Sequence, residues 1–268
     1  MSFLTSLLIG VAGRRAAARF ERATLDPVAA QQHKLLSIVT ANRDTEYGRA
    51  HGFSKIRDLA GYQRSVPLAT YEDLRPYVDR MARGERNVLT AEAPVMFAMT
   101  SGTTGDHKLI PVTPTCRGRD HADQIRVWLH HARLAHPGIL RGKIVSLVSP
   151  AVAGRTQAGI PYGSTSGMMY RDMNPLVRRS YAIPYEVSEI ADYDAVYYTV
   201  MRLALEADVT LLATANPSSV QKLVETAEAQ AESLIRDIHD GTLCRDLAIE
   251  PPIRQHVERM LKRDPARA

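Results

Sequence analysis

Between Val95 and Thr113 an apolar run ends abruptly in Thr100-Ser101-Gly102-Thr103-Thr104-Gly105, and Lys108 follows before a second apolar run begins. Gly102 and Gly105 open backbone angles closed to other residues, so successive N–H groups can turn inward around an anion. Thr100, Ser101, Thr103 and Thr104 add hydroxyl donors on short stems, and Lys108 adds a point charge. The chemistry such a set supports is the binding of a polyphosphate. The spacing is not that of a P-loop, which needs a longer gap between its glycines and a Lys-Ser/Thr pair opening a helix. A hairpin turn rich in turn residues is the plain alternative, although a turn alone does not need so many donors in succession.

The neighbouring elements follow from periodicity. Residues 2 to about 62 read as helices, with Leu4, Leu7, Leu8 and Val11 at helical spacing and Asp26-Pro27 as cap and first-turn proline of a second helix through Ala41. The apolar run Phe3–Val11 precedes Arg14-Arg15 and lacks both the basic start of a signal peptide and the length of a membrane span, which predicts a packed amphipathic helix. Thr45 to Phe53 reads as loop, and Thr70-Tyr71-Glu72-Asp73 opens a helix by a capping-box pattern that ends near Gly84. Pro114 and Thr115 start a helix to about Ala135. His121, His130, His131 and His136 sit in or beside it, but residues nine apart lie on opposite faces, so His121 and His130 cannot share one metal ion.

Lys143–Ser149 and Val209–Thr214 are apolar runs suited to buried strands. Gly154 to Gly167 reads as a loop leaving the carboxyl end of a strand, where open α/β sheets bind ligands. Asn216-Pro217 caps a single long helix whose apolar stripe runs from Val220 to Ile238 and which Gly241 closes. A polar helix then runs from Pro251-Pro252 to Ala268. The fold class is α/β, a mostly parallel sheet flanked by helices.

With 268 residues and 45% hydrophobic content the chain can bury a substantial core. Basic side chains number 34 against 29 acidic, a net charge of +5, but they are dispersed and aromatics make up only 6%, so nucleic-acid binding has no support. The two cysteines, Cys116 and Cys244, form no metal or disulfide spacing and fit a reducing cytoplasm without membrane attachment.

The loop Thr-Ser-Gly-Thr-Thr-Gly-x-x-Lys resembles the nucleotide-phosphate loop of the adenylate-forming superfamily of acyl ligases and luciferases. Lys108-Leu-Ile-Pro-Val-Thr113 resembles, within it, the Gretchen Hagen family of auxin-responsive acyl-acid amido synthetases. Val66-Pro-Leu-Ala-Thr-Tyr-Glu-Asp-Leu-Arg-Pro-Tyr77, with Arg80 and Gly84-Glu85, is similar to the segment that precedes the loop there. The resemblance implies the N-terminal half of a luciferase-like large domain, with residues 1–90 as a helical region packed on it and 91–268 as an incomplete α/β part. It implies ATP and Mg2+ as cofactors, a small carboxylic acid as substrate and an amino acid as acceptor. Thr100 to Gly105 and Lys108 would hold the nucleotide.

The superfamily's second motif is an aromatic residue, Gly, small hydroxyl residues and Glu. Tyr162-Gly163-Ser164-Thr165-Ser166 has Ser in place of that Glu and comes early in the chain, so Gly159, Tyr162, Gly163, Ser164 and Thr165 read instead as candidates to line the acyl pocket. In the family the true motif, a ribose-binding aspartate and a mobile C-terminal lid would follow beyond residue 268. Three functions stay open: an acyl-acid amido synthetase present in part, a non-catalytic nucleotide- or acyl-binding remnant, and an acyl-coenzyme A ligase.

Overall fold

The computed structural model describes residues 3–100, 107–214 and 216–268. Helices α1 (Phe3–Thr24) and α2 (Pro27–Ala41) occupy the N-terminal region as their periodicity predicts, and the Asp26 carboxylate caps α2 by accepting from the Ala29 amide at 3.0 Å. The stretch read as loop after Thr45 contains a short helix, α3 (Glu46–Ala50). Thr45 is fully buried and its hydroxyl caps Gly48 N–H at 2.9 Å, a local bond that outweighs the glycine's poor helix propensity. Next come α4 (Leu59–Ser65) and α5 (Tyr71–Ala82). The Asp73 carboxylate accepts from the backbone N–H and the hydroxyl of Thr70, both at 2.7 Å, closing the predicted capping box.

Strands β1 (Met96–Met99) and β2 (Leu109–Val112) form an antiparallel hairpin in the register Met96↔Val112 to Met99↔Leu109. The helix predicted from Pro114 is present, with a π-helical turn at Cys116–His121 running into α6 (Ala122–Ala135). Strand β3 (Lys143–Ser146) follows. The segment read as loop from Gly154 then proves to be a second hairpin, β4 (Gly154–Arg155) and β5 (Pro161–Gly163). Gly159 turns it at φ +77°, and Arg155 Nη1 donates to the Gly159 carbonyl at 2.8 Å. A Cβ on Gly154 would come within 2.3 Å of Tyr162 Oη, so only glycine lets the tyrosine ring lie across the facing strand.

The chain continues through α7 (Thr165–Arg171), α8 (Pro175–Arg178), α9 (Tyr193–Glu206) and β6 (Val209–Ala213). The helix predicted from Pro217 to Gly241 is broken at Gln230 into α10 (Pro217–Ala229) and α11 (Ala231–Asp240). No glycine or proline marks that break. Both pieces pack on α9, and the break lets Leu234 and Ile238 enter the core while Asp237 meets Tyr198. The last helix, α12 (Pro251–Glu258), ends well before Ala268.

The contacts divide the chain into two compact units. One is formed chiefly by Ala132–Ala151 and Thr165–Ala268, the other by Ile9–His131 and Val152–Ser164. The first contains the parallel pair β3-β6 under a core of Val145, Val187, Tyr197, Leu203, Leu234 and Val257. The second contains the sheet β2-β1-β5-β4, in which Phe97 is fully buried beside Val78, Met81 and Val88. Two of the four described ladders, β1-β5 and β3-β6, are parallel. The two antiparallel ones join strands consecutive in the chain, which need no crossover connection.

Arg80, Glu46 and Glu85 explain part of the motif upstream of the first hairpin. The Arg80 guanidinium pairs with Glu46 at 2.6 and 2.8 Å and with Glu85 on its other edge, tying α3 and the turn after α5 to one side chain. Hydrogen bonds from Arg80 hold both carboxyls below the usual glutamate range. Because these folded values lie below the unfolded one, the contribution is complete above about pH 4.3 and is lost as pH falls through the folded values. Arg80→Met is therefore expected to lower the urea midpoint at pH 7, with the gap to the wild type narrowing below about pH 4.3. A gap that stays constant to pH 3 would show that the loss does not come through the two carboxylates.

Candidate functional site

The first hairpin closes where the donor-rich loop begins. Thr100 N–H donates to the Lys108 carbonyl at 3.2 Å, and the His107 ring nitrogen Nδ1 lies 3.2 Å from the Thr100 carbonyl. Thr100 is half-buried and Lys108 exposed. The Thr100 amide is thus used in strand pairing, and the group read from the sequence as its donor is the side-chain hydroxyl. Ser101, Gly102, Thr103, Thr104 and Gly105 lie outside the described residues.

The neck of this hairpin rests on α5. Leu109 N–H donates to the Tyr71 hydroxyl at 2.9 Å, and that hydroxyl lies 3.3 Å from the Leu109 carbonyl. The Tyr71 ring carries two cations, Lys108 Nζ at 5.4 Å and the Arg75 guanidinium at 5.2 Å from its centroid. Arg75 is in turn bidentate to Glu72 at 2.7 and 2.9 Å, and this bond first, then the nearby positive charges of Arg75 and Lys108, hold the Glu72 carboxyl below its ordinary value. The segment from Thr70 to Arg75 and the loop strand are parts of one local arrangement, which the sequence shows only as two adjacent motifs.

The acyl-pocket candidates divide. Gly159 is at an exposed turn, while Tyr162 and Gly163 are ladder residues paired with Phe97 and Ala98. Tyr162 packs against the Phe97 core and borders a shallow groove of about 220 Å3 with Asp79, Arg83 and Thr156. Ser164 follows β5, and Thr165 opens α7. None of these five lines the larger cavity of about 560 Å3, whose wall from this segment is Ser166 and Tyr170.

That cavity lies at the carboxyl ends of β3 and β6, within one unit, and its rim includes Ser149, Glu189, Tyr193, Tyr197 and Asn216. Gly167 makes it possible: a Cβ there would stand 2.1 Å from the Ser149 carbonyl oxygen, so α7 packs backbone to backbone on the segment leaving β3. Tyr185 Oη accepts from the Ala151 amide at 2.9 Å, and Tyr170 donates to the Ile183 carbonyl. Burial pushes the Tyr170 and Tyr185 hydroxyls up, so both stay protonated near neutral pH. Tyr193 and Tyr197 share a hydroxyl hydrogen bond of 3.1 Å on the α9 wall. The sequence reading missed these tyrosines, whose i,i+4 spacing at the start of a helix was the available signal.

Among the described residues no group of three or more His, Cys, Asp or Glu is arranged to hold a metal ion, and no helix is long and apolar enough to cross a membrane. His121 Nε2 lies 3.7 Å from Cys116 Sγ.

Residues 16–268 match the GH3 family N-terminal domain. The chain belongs to the GH3 family. Among the relatives of this GH3 chain is a jasmonoyl-L-amino acid synthetase, GH3.3 of Oryza sativa subsp. japonica, 26% identical over 94% of this chain and 56% of the relative. Indole-3-acetic acid-amido synthetase GH3.5 of Arabidopsis thaliana is 26% identical over 88% of this chain and 40% of its own length. The fold is that of the solved GH3.15 acyl acid amido synthetase, with a TM-score of 0.79 at 22% identity over 94% of this chain and 45% of that one. A structure of AtGH3.15 acyl acid amido synthetase in complex with 2,4-DB superposes with a TM-score of 0.77 at 20% identity. The GH3 chain described here spans about half the length of the curated relatives it matches. The resemblance to the Gretchen Hagen family read from the sequence is thereby shown.

Proposed function

We propose that the chain supplies the ATP-phosphate site and part of the acyl site of an acyl-acid amido synthetase. In that reaction a carboxylate oxygen attacks the α-phosphorus of ATP, pyrophosphate leaves, and the amine of an amino acid then attacks the acyl-adenylate to give an amide and AMP. Catalysis of the first step is chiefly positioning and charge stabilisation. The observation that supports this reading is the hairpin neck, where Thr100 and Lys108 face one another and carry between them a run of glycines and hydroxyl residues. The hydroxyls of Thr100, Ser101, Thr103 and Thr104, the amides from Ser101 to Gly105 and the Lys108 ammonium are suited to the β- and γ-phosphates.

We assign the acyl group to the cavity bordered by Ser166, Tyr170 and Val196, which offers apolar walls with a few polar groups. The described residues do not make a magnesium site, so no residue is given that role, and a magnesium ion would be held by the nucleotide's own phosphates. Residues 1–90 act as helical support and 91–268 as part of the adenylation domain. Free Cys116 and Cys244 suit a reducing cytoplasm.

Exchange of labelled pyrophosphate into ATP tests the reading. The expected result is exchange that depends on an added carboxylic acid. ATP binding without any exchange would instead favour the non-catalytic module. Where exchange occurs, amide formation with amino acids and no thioester with coenzyme A is expected; the reverse would make the protein an acyl-coenzyme A ligase.

A further inference from the structure

We propose that Tyr71 is the positioning residue of the phosphate hairpin, setting the Lys108 ammonium for the terminal phosphates of a nucleoside triphosphate. This rests on the reading of the Thr100–Lys108 hairpin as a phosphate site and adds a residue outside the loop itself. Lysine carries close to the largest rotamer entropy of any side chain, so an exposed lysine on a two-stranded neck is poorly aimed by its backbone alone. Tyr71 supplies two constraints at once.

Its hydroxyl grips the backbone of Leu109, the residue after Lys108, at 2.9 Å to the amide and 3.3 Å to the carbonyl. Its ring receives the Lys108 ammonium at 5.4 Å, which narrows the directions that the side chain samples. Tyr71 is itself held, because it is the first residue of α5 and the capping box between Thr70 and Asp73 fixes that end of the helix. Arg75 shares the ring, but its bidentate pair with Glu72 offsets its charge and commits its fork. That leaves Lys108 as the more available of the two cations for an anion.

The test compares the whole chain with its Tyr71→Phe and Tyr71→Leu variants by calorimetric titration with ATP and with AMP, alongside thermal melts. Tyr71→Phe keeps the ring and loses the grip on Leu109; ATP affinity is expected to fall about 3- to 10-fold. Tyr71→Leu loses both, and a fall of about 10- to 50-fold is expected. AMP, which lacks the terminal phosphates, should change less than about twofold in either variant. Equal losses for ATP and AMP, or no loss for ATP, would overturn the proposal and leave Tyr71 as a structural staple between α5 and β2. If Tyr71→Leu does not fold, the ATP-to-AMP ratio of Tyr71→Phe decides alone. A wild-type chain that binds ATP no more tightly than AMP would sink the phosphate reading and this proposal with it, whereas wild-type selectivity unchanged in the variants sinks only the latter.

Discussion

Lys108→Ala is expected to weaken ATP binding by about 10- to 100-fold, the range set by losing one charge-assisted contact to phosphate. Its effect on folding should be small. The side chain is exposed, and the Lys108 carbonyl that accepts from Thr100 N–H is unchanged by the substitution. The loss in folding stability is confined to the cation–π contact with Tyr71, about 0.5–1 kcal/mol at an exposed site. Lys108→Arg keeps the charge and should recover part of the affinity, and the wild-type advantage should shrink as salt screens the exposed ammonium. Calorimetry at low and high ionic strength, paired with thermal melts, measures both quantities. A variant that melts early but binds ATP normally in its folded fraction would make Lys108 structural.

The second large effect concerns stability and lies in the other unit. Asp237 is 6% exposed and organises a buried polar cluster. Its carboxylate accepts from the Tyr198 hydroxyl, the Thr242 hydroxyl and the Cys244 amide, each at 2.7 Å. Arg202, fully buried, donates to the Asp237 carbonyl at 2.9 Å and the Thr242 carbonyl at 3.1 Å, and pairs with Glu206 at 2.6 Å. Together these bonds lock the end of α11 onto α9.

Asp237→Ala would strand the buried Tyr198 hydroxyl, at more than the net value of a hydrogen bond, while the exposed Thr242 hydroxyl and the half-buried Cys244 amide lose their acceptor nearer to water. The expected destabilisation is about 2–4 kcal/mol, one stranded buried donor together with the loss of bonds to a charged group. Tyr198→Phe removes one donor and leaves the carboxylate two others, so about 1–2 kcal/mol is expected. Burial and then the Asp237 bond push the Tyr198 hydroxyl up, so it stays a protonated donor across the working pH range. Urea denaturation of both variants and the double mutant measures the coupling. An Asp237→Ala cost below about 1 kcal/mol would mean the cluster does not hold α11 in place.

Local signals were readable wherever local chemistry decides structure. Asp26, Thr70 with Asp73, Asn216 and Gly241 mark real helix ends, because a capping side chain or a left-handed glycine acts within a few residues. The hairpin at Thr100 and Lys108 was legible from two apolar runs around turn residues. The β4-β5 hairpin was not, because its strands are very short and β5 is held by pairing with β1, a partner far away in sequence. The break at Gln230 was equally hidden, since its cause is the pull of Tyr198 and the α9 core and not any local breaker.

The site divides in the same way. Its charged and glycine-rich loop announces itself by residue type. The walls of the larger cavity, Tyr170, Tyr193 and Tyr197, are tyrosines like many others until the ends of β3 and β6 bring them together. The contact of Tyr71 with Leu109 across nearly forty residues has no signature in a single sequence.

Backbone amide chemical shifts of the isotope-labelled chain, followed through a titration with ATP, test the central claim most directly. Saturable shifts concentrated at Gly102, Thr103, Thr104 and Gly105 are expected, with a smaller response at Lys108 and much weaker changes when AMP replaces ATP. Saturable ATP shifts that leave those four amides still and gather elsewhere in the chain would contradict it.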